Sequence, residues 1–129
     1  MHVEEYVRPD LSNPYRRWFD SLNAQAAAKV AVAKFRLSQG NTSRVKWFDG
    51  IGEYRIDWGP GYRIYLARDG ADLIILYGGG TKRRQKQDIE AAKLLHGEYQ
   101  ARKAAEKATA KKVVGTKAQR PTKQRRKKR

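Results

Sequence analysis

The side chains best suited to chemistry are Arg55, Arg63 and Tyr65, followed by the basic run Lys82-Arg83-Arg84. Arginine grips phosphate through parallel N–H donors and lysine supplies a point charge. Tyrosine stacks on a base or hydrogen-bonds to a backbone oxygen. Alternation sets the first three on a common surface. Tyr54, Ile56 and Trp58 fall on one side of a strand and Glu53, Arg55 and Asp57 on the other. Tyr62, Ile64 and Leu66 repeat the apolar pattern against Arg63 and Tyr65, and this period of two marks half-buried strands. Gly59-Pro60-Gly61 and Asp69-Gly70 supply turns, so residues 50–80 read as two hairpins built from three strands. Closing the first hairpin with Trp58 opposite Tyr62 sets Ile56 against Ile64 and Tyr54 against Leu66. On the polar face it sets Asp57 against Arg63 and Arg55 against Tyr65. The plainer alternative is a solvated strand face with an ordinary Asp57–Arg63 pair, and a solubilising loop at Lys82–Arg84.

Other chemistries find little support. His2 and His96 are the only histidines, and neither joins carboxylates at a metal-ligand spacing. His96, beside Leu94 and Leu95, reads as a partly buried or surface histidine. Gly78-Gly79-Gly80-Thr81-Lys82 lacks the spacing of a phosphate loop, and no serine has a histidine placed to activate it. No cofactor is expected.

The positioning elements follow from local signals. Val3–Val7 reads as a first strand. Asn13-Pro14 opens a short helix with Tyr15, Trp18, Phe19 and Leu22 as its apolar stripe, ending near Asn23. A second helix runs from Ala24 to Gln39 and ends at Gly40. Ala26, Val30, Ala33 and Leu37 form its buried stripe, widened by Ala27, Ala31 and Phe35. Thr42–Phe48 leads into the sheet. Leu73–Tyr77 is apolar throughout and reads as an interior strand, broken by the three glycines. Thr81–Arg84 reads as a loop, and a helix from Gln85 to Ala101 presents Ile89, Ala92, Leu95 and Tyr99. The expected fold is α+β: two N-terminal helices packed on a small twisted antiparallel sheet, then a C-terminal helix and a basic tail.

Charge divides the chain. Residues 100–129 carry 13 basic groups and one acid, whereas residues 1–99 carry 16 basic and 12 acidic groups. A domain over residues 1–105 with a basic tail over 106–129 is the expected organisation. The tail has too few apolar side chains to offset its ordering entropy, and is expected to be disordered, helical at most at its start. Its polycation would tether the protein to RNA in a salt-dependent way. The chain has no cysteine, no apolar run long enough to span a bilayer, and an acidic start unlike a signal peptide. A cytoplasmic protein without membrane partners is expected.

The strings NPYRRWFDSL, GIGEYRIDWGPGYRIYLARDG and LIILYGGGTKRRQKQDIEAAK, in this order, resemble the addiction-module killer proteins of the RelE/ParE toxin superfamily, in its phage-related HigB-like branch. The likeness runs from about Tyr6 to about Tyr99. It implies a small α+β toxin of a type II toxin–antitoxin pair, silenced by a cognate antitoxin and meeting operator DNA only as that complex. Many such proteins are metal-independent, ribosome-dependent endoribonucleases acting on mRNA, whereas relatives block DNA gyrase. The resemblance lays the family's strand arginines on Arg55 and Arg63, its lysine on Lys82, and a helix-opening polar pair on Gln85 and Asp88. Arg55, Arg63, Tyr65 and Lys82 are thus the expected catalytic set, with Arg83, Arg84, Gln85 and Lys86 contacting RNA. Thr81, Arg83 and Arg84 depart from the family, which often has Asp at the first position and small polar residues at the others. A gyrase-binding toxin and a plain nucleic-acid-binding protein are the alternatives.

Overall fold

The computed structural model describes residues 1–118. The fold is α+β, with strands β1 (His2–Glu5), β2 (Val45–Phe48), β3 (Ile51–Ile56), β4 (Tyr62–Asp69) and β5 (Leu73–Thr81), and helices α1 (Pro14–Asp20), α2 (Ala24–Ser38) and α3 (Gln85–Ala118). Met1–Gly97 forms one compact unit, and the chain from Glu98 onward belongs to a second. Among the described residues, no helix is long and apolar enough to cross a membrane.

The sheet has the order β1-β5-β4-β3-β2 and is mixed, because β1 lies parallel to β5. The expected all-antiparallel sheet is therefore corrected at one edge. Nothing local marks that pairing, since its partner lies far along the chain. The strand is also shorter than expected, ending at Glu5. β5 is interior between β1 and β4, and Ile74, Ile75, Leu76 and Tyr77 are buried.

Gly78–Gly80 do not break β5. They continue it, paired with Tyr65, Ile64 and Arg63 of β4. Their lack of side chains admits close neighbours. A Cβ on Gly79 would lie 2.4 Å from the Trp18 ring, and one on Gly80 would lie 1.9 Å from an Asp88 carboxylate oxygen. Thr81 ends the strand, and Lys82–Arg84, expected as loop, form a single 3₁₀ turn leading directly into α3.

The first hairpin closes in a different register from the expected one. Arg55 lies opposite Arg63, Tyr54 opposite Ile64, Glu53 opposite Tyr65 and Ile56 opposite Tyr62. Asp57 and Trp58 belong to the turn, where Trp58 N–H donates to the Ile56 carbonyl at 2.9 Å and Gly61 N–H to the Trp58 carbonyl at 3.1 Å. Gly59 and Gly61 at φ +59° and +76° make that longer turn possible. The shift is two residues, so each side chain stays on its expected face while its partner changes.

Helices α1 and α2 cover one face. Tyr15, Val30, Ala33 and Leu37 pack there against Tyr54, Ile56, Ile64, Leu66, Ile74 and Leu76. Asn13 and Asn23 cap the two helices, each accepting a backbone N–H at 2.9 Å. Phe35 does not widen the α2 stripe: it is 64% exposed, because at 100° per residue it points away from Ala26, Val30, Ala33 and Leu37. On the opposite face, His96 of α3 meets Tyr77 edge-on, its Nδ1 2.7 Å from the tyrosine hydroxyl. Burial lowers the His96 pKa, against an opposing pull from Asp69.

The basic segment expected to be disordered is helical through Ala118, as α3 continues well past Ala101. The rest of it, residues 119–129, lies outside the described residues.

Glu5 ties β1 to both N-terminal helices. It accepts from Asn13 Nδ2 at 2.9 Å and Lys34 Nζ at 2.8 Å, and forms a two-pronged pair with Arg16. Burial alone would raise its pKa. The bonds from Arg16, Lys34 and Asn13 outweigh burial and bring it down to about 2. The carboxylate's contribution is therefore full above the unfolded pKa near 4.5 and disappears as the pH falls toward 2. Glu5→Gln should lose about 3 kcal/mol at pH 7 and flatten the dependence of unfolding free energy on pH across that window, as read by urea titrations.

Candidate functional site

The candidate site grows from the polar face of β3 and β4. Two arginines directly opposite each other repel, as Arg55 and Arg63 would if left alone. Glu53, one position along the same face, resolves this. Its side chain is buried, accepting from Arg55 Nε at 3.0 Å through one oxygen. The other oxygen accepts from Gln85 Nε2 at 2.8 Å and the Tyr65 hydroxyl at 3.2 Å. Arg63 Nε stands 3.7 Å from that oxygen, near enough for charge attraction but too long for a hydrogen bond.

The turn brings in Lys82. The Gly61 carbonyl accepts from Arg63 Nη1 at 2.7 Å and from the Lys82 backbone N–H at 3.0 Å. A Cβ on Gly61 would sit 3.0 Å from Arg63 Nη1 and 3.5 Å from Lys82 Cβ, so a bare backbone leaves room for both residues at the turn. Arg55 and Arg63 are thereby gathered around one carboxylate, and the Gly61 carbonyl sets the Lys82 backbone beside Arg63. The Asp57–Arg63 pair and the Arg55–Tyr65 apposition do not form, because the register removes both.

Exposure sorts the roles. The Arg55 side chain is 47% exposed, and Lys82, Arg83, Arg84 and Lys86 are exposed. Arg63 is buried, and Gln85 is half-buried and committed to Glu53 rather than to solvent. Tyr65 is 1% exposed, so its ring cannot stack on a base, and its hydroxyl is spent on Glu53. It positions the carboxylate.

Protonation follows from the same contacts. Burial pushes Glu53 up, but the bonds from Gln85, Arg55 and Tyr65 more than compensate, and its pKa lies below the usual range. Burial, reinforced by the Glu53 charge, pushes the Tyr65 phenol well above its ordinary value. Near neutral pH the pair is a carboxylate and a neutral hydroxyl donor. Asp88 behaves oppositely: burial raises its pKa, with only a weak counter-pull from Arg84, whose Nε is 3.9 Å away. It stands in the first turn of α3, where the helix dipole favours an acid, over the bare Gly80 backbone. Asp88 Oδ2 and Arg63 Nε are both buried without a hydrogen-bond partner. The arrangement suits holding an anion and stabilising negative charge. Among the described residues, no group of three His, Cys, Asp or Glu side chains could hold a metal ion.

Glu53 is the functional residue that sequence reasoning missed. In the expected register it falls opposite Ala67, with no reason to organise anything. Its place two residues before Arg55 on the same face was the available signal.

An "Uncharacterized protein" of Haemophilus influenzae (strain ATCC 51907 / DSM 11121 / KW20 / Rd) is 46% identical to this chain over 80 residues, covering 60% of this chain and 81% of the relative. No family model matches the chain, and no solved structure matches it.

Glu53→Ala should be among the most damaging single substitutions, since it strands Tyr65 and Gln85 donors and leaves Arg63 without its counter-charge. Loss of a buried charge partner of this kind costs about 3–5 kcal/mol, measured here as a lowered urea midpoint at pH 7. Tyr65→Phe removes one of several donors to the carboxylate and should cost less, about 1.5–3 kcal/mol.

Proposed function

We propose that this chain, which belongs to the same family as the Haemophilus influenzae protein, is the toxin of a type II toxin–antitoxin pair and a metal-independent endoribonuclease acting on ribosome-associated mRNA. The observation that carries the reading is the meeting of Arg55 and Arg63 at Glu53, with the Lys82 backbone anchored beside Arg63 on the Gly61 carbonyl. The resemblance of its hairpin and GGGTKRRQKQDI strings to the RelE/ParE superfamily supports the same assignment.

The reaction is attack of a ribose 2′-hydroxyl on the adjacent phosphate. The 2′-oxygen–phosphorus bond forms as the 2′-hydroxyl loses its proton to water, the bond to the 5′-oxygen breaks as that oxygen takes a proton from water, and the products carry a 2′,3′-cyclic phosphate and a 5′-hydroxyl. DNA, lacking the nucleophile, is not a substrate. Arg55 and Lys82, at the solvent side, hold the phosphate. Arg63 lies behind them and adds positive potential where charge accumulates on the phosphorane. Arg83, Arg84 and Lys86 contact the flanking backbone. Neither Tyr65 nor Glu53 is a base of suitable pKa, so alignment and charge stabilisation carry the rate. The ribosome supplies the alignment. The partner that silences the toxin is an antitoxin covering this basic face in the cytoplasm, and operator DNA is bound by the pair.

Inducing the wild type should arrest growth, and Lys82→Ala should relieve the arrest while unfolding at nearly the wild-type temperature, because Lys82 is exposed. Arg55→Ala should do the same with a modest stability loss. Co-expression of the neighbouring small reading frame should rescue growth and co-purify. Full arrest by both folded variants would refute this placement of the site.

A further inference from the structure

β2 begins at Val45, opposite Tyr54, so β3 beyond Tyr54 has no edge strand beside it except for one long contact, Arg55 N–H to the Arg44 carbonyl at 3.5 Å. A cleft of about 260 Å³ opens between this bare edge and α2, lined by Lys29, Arg36, Arg44, Arg55, Asp57 and Trp58, among others. Four cations thus face one carboxylate. Lys29 lies over the Trp58 ring at 5.7 Å, which holds its charge at the wall. Lys29, Arg36 and Arg44 are exposed and form no ion pair within the described residues. Elsewhere in the first unit, Arg16 and Lys34 are compensated by Glu5, and Lys93 by Asp49 and Glu90. With Arg55 paired to Glu53, three cations unpaired within the described residues face the single Asp57 carboxylate, and a concave wall focuses the field of that excess.

Arg55 joins this cleft to the site described above, holding Glu53 through Nε while bordering the cleft. We infer that the cleft is a phosphodiester subsite, in which Arg36, Arg44 and Lys29 grip the backbone of the single-stranded RNA as it leaves the Arg55–Arg63–Lys82 cluster. This rests on the RNA reading of that cluster. A polyanion with a charge on every residue suits a line of unpaired cations, whereas an acidic protein segment also needs apolar anchorage. Val32, 48% exposed, and half-buried Trp58 are the large apolar side chains the cleft opens to solvent. Asp57 at the rim disfavours any phosphate bound beside it, which directs the strand along the α2 side.

The test uses the purified full chain and a short single-stranded RNA with 2′-O-methyl riboses, which in-line attack cannot cut. Affinity is measured by fluorescence anisotropy across a salt series for wild type, the double variant Arg36→Ser/Arg44→Ser, its charge-keeping counterpart Arg36→Lys/Arg44→Lys, and Arg55→Ser. The basic C-terminal segment contributes equally to all four and cancels in the differences. Losing two phosphate contacts should make the slope of log affinity against log salt shallower by about 1.4. The lysine variant should keep the wild-type slope. A wild-type slope in the double serine variant, with Arg55→Ser weakened, would overturn the cleft and leave the RNA reading intact. No change in any variant would overturn both. Unchanged RNA affinity with lost capture of the co-expressed antitoxin would reassign the cleft to an acidic protein segment.

Discussion

The polar face depends on one buried carboxylate. Arg55 and Arg63 are direct cross-strand neighbours, a pairing that two positive charges would not sustain alone. Glu53 makes it tenable by binding Arg55 with one oxygen, and with the other meeting Tyr65, Gln85 and the field of Arg63. Burying a charge is costly unless its hydrogen bonds are made, and here both oxygens are used. The network also spans elements: Glu53 belongs to β3, Tyr65 and Arg63 to β4, and Gln85 to α3. A single side chain therefore registers the hairpin and the start of the helix against each other.

Glycine does the complementary work of letting polar groups approach. Gly61 allows one carbonyl to take both Arg63 and Lys82, and Gly80 opens the space that Asp88 occupies. Across the sheet, Gly79 receives the Trp18 ring. Successive residues of one strand thus admit α1 on one face and α3 on the other, as strand alternation requires.

Much of this was legible in the sequence because it rests on local signals. The Asn13-Pro14 cap, the α2 stripe and the β4 alternation depend on neighbours a few residues apart, and all stand in the structure. What failed depended on distance. A turn two residues longer than expected moved every cross-strand partner while sparing every face, and it is the observed register that sets Glu53 opposite Tyr65. The Gly78–Gly80 run looks like a break by propensity, but its reason to exist is the ring and the carboxylate that sit on it. Arg55 and Arg63 meet at Glu53, and Lys82 is tied beside Arg63 through its backbone at Gly61. Tyr65, by contrast, could be assigned to the correct face but not to its depth, and depth made it a support for the carboxylate instead of a ligand for RNA.

The central claim is that this cation cluster acts on RNA through the 2′-hydroxyl. The most direct measurement is to map RNA ends and plasmid supercoiling together after a brief induction in bacteria. New 5′-hydroxyl and 2′,3′-cyclic phosphate ends within translated messages, with supercoiling unchanged, are the predicted result. Altered supercoiling with no new RNA ends would contradict the account.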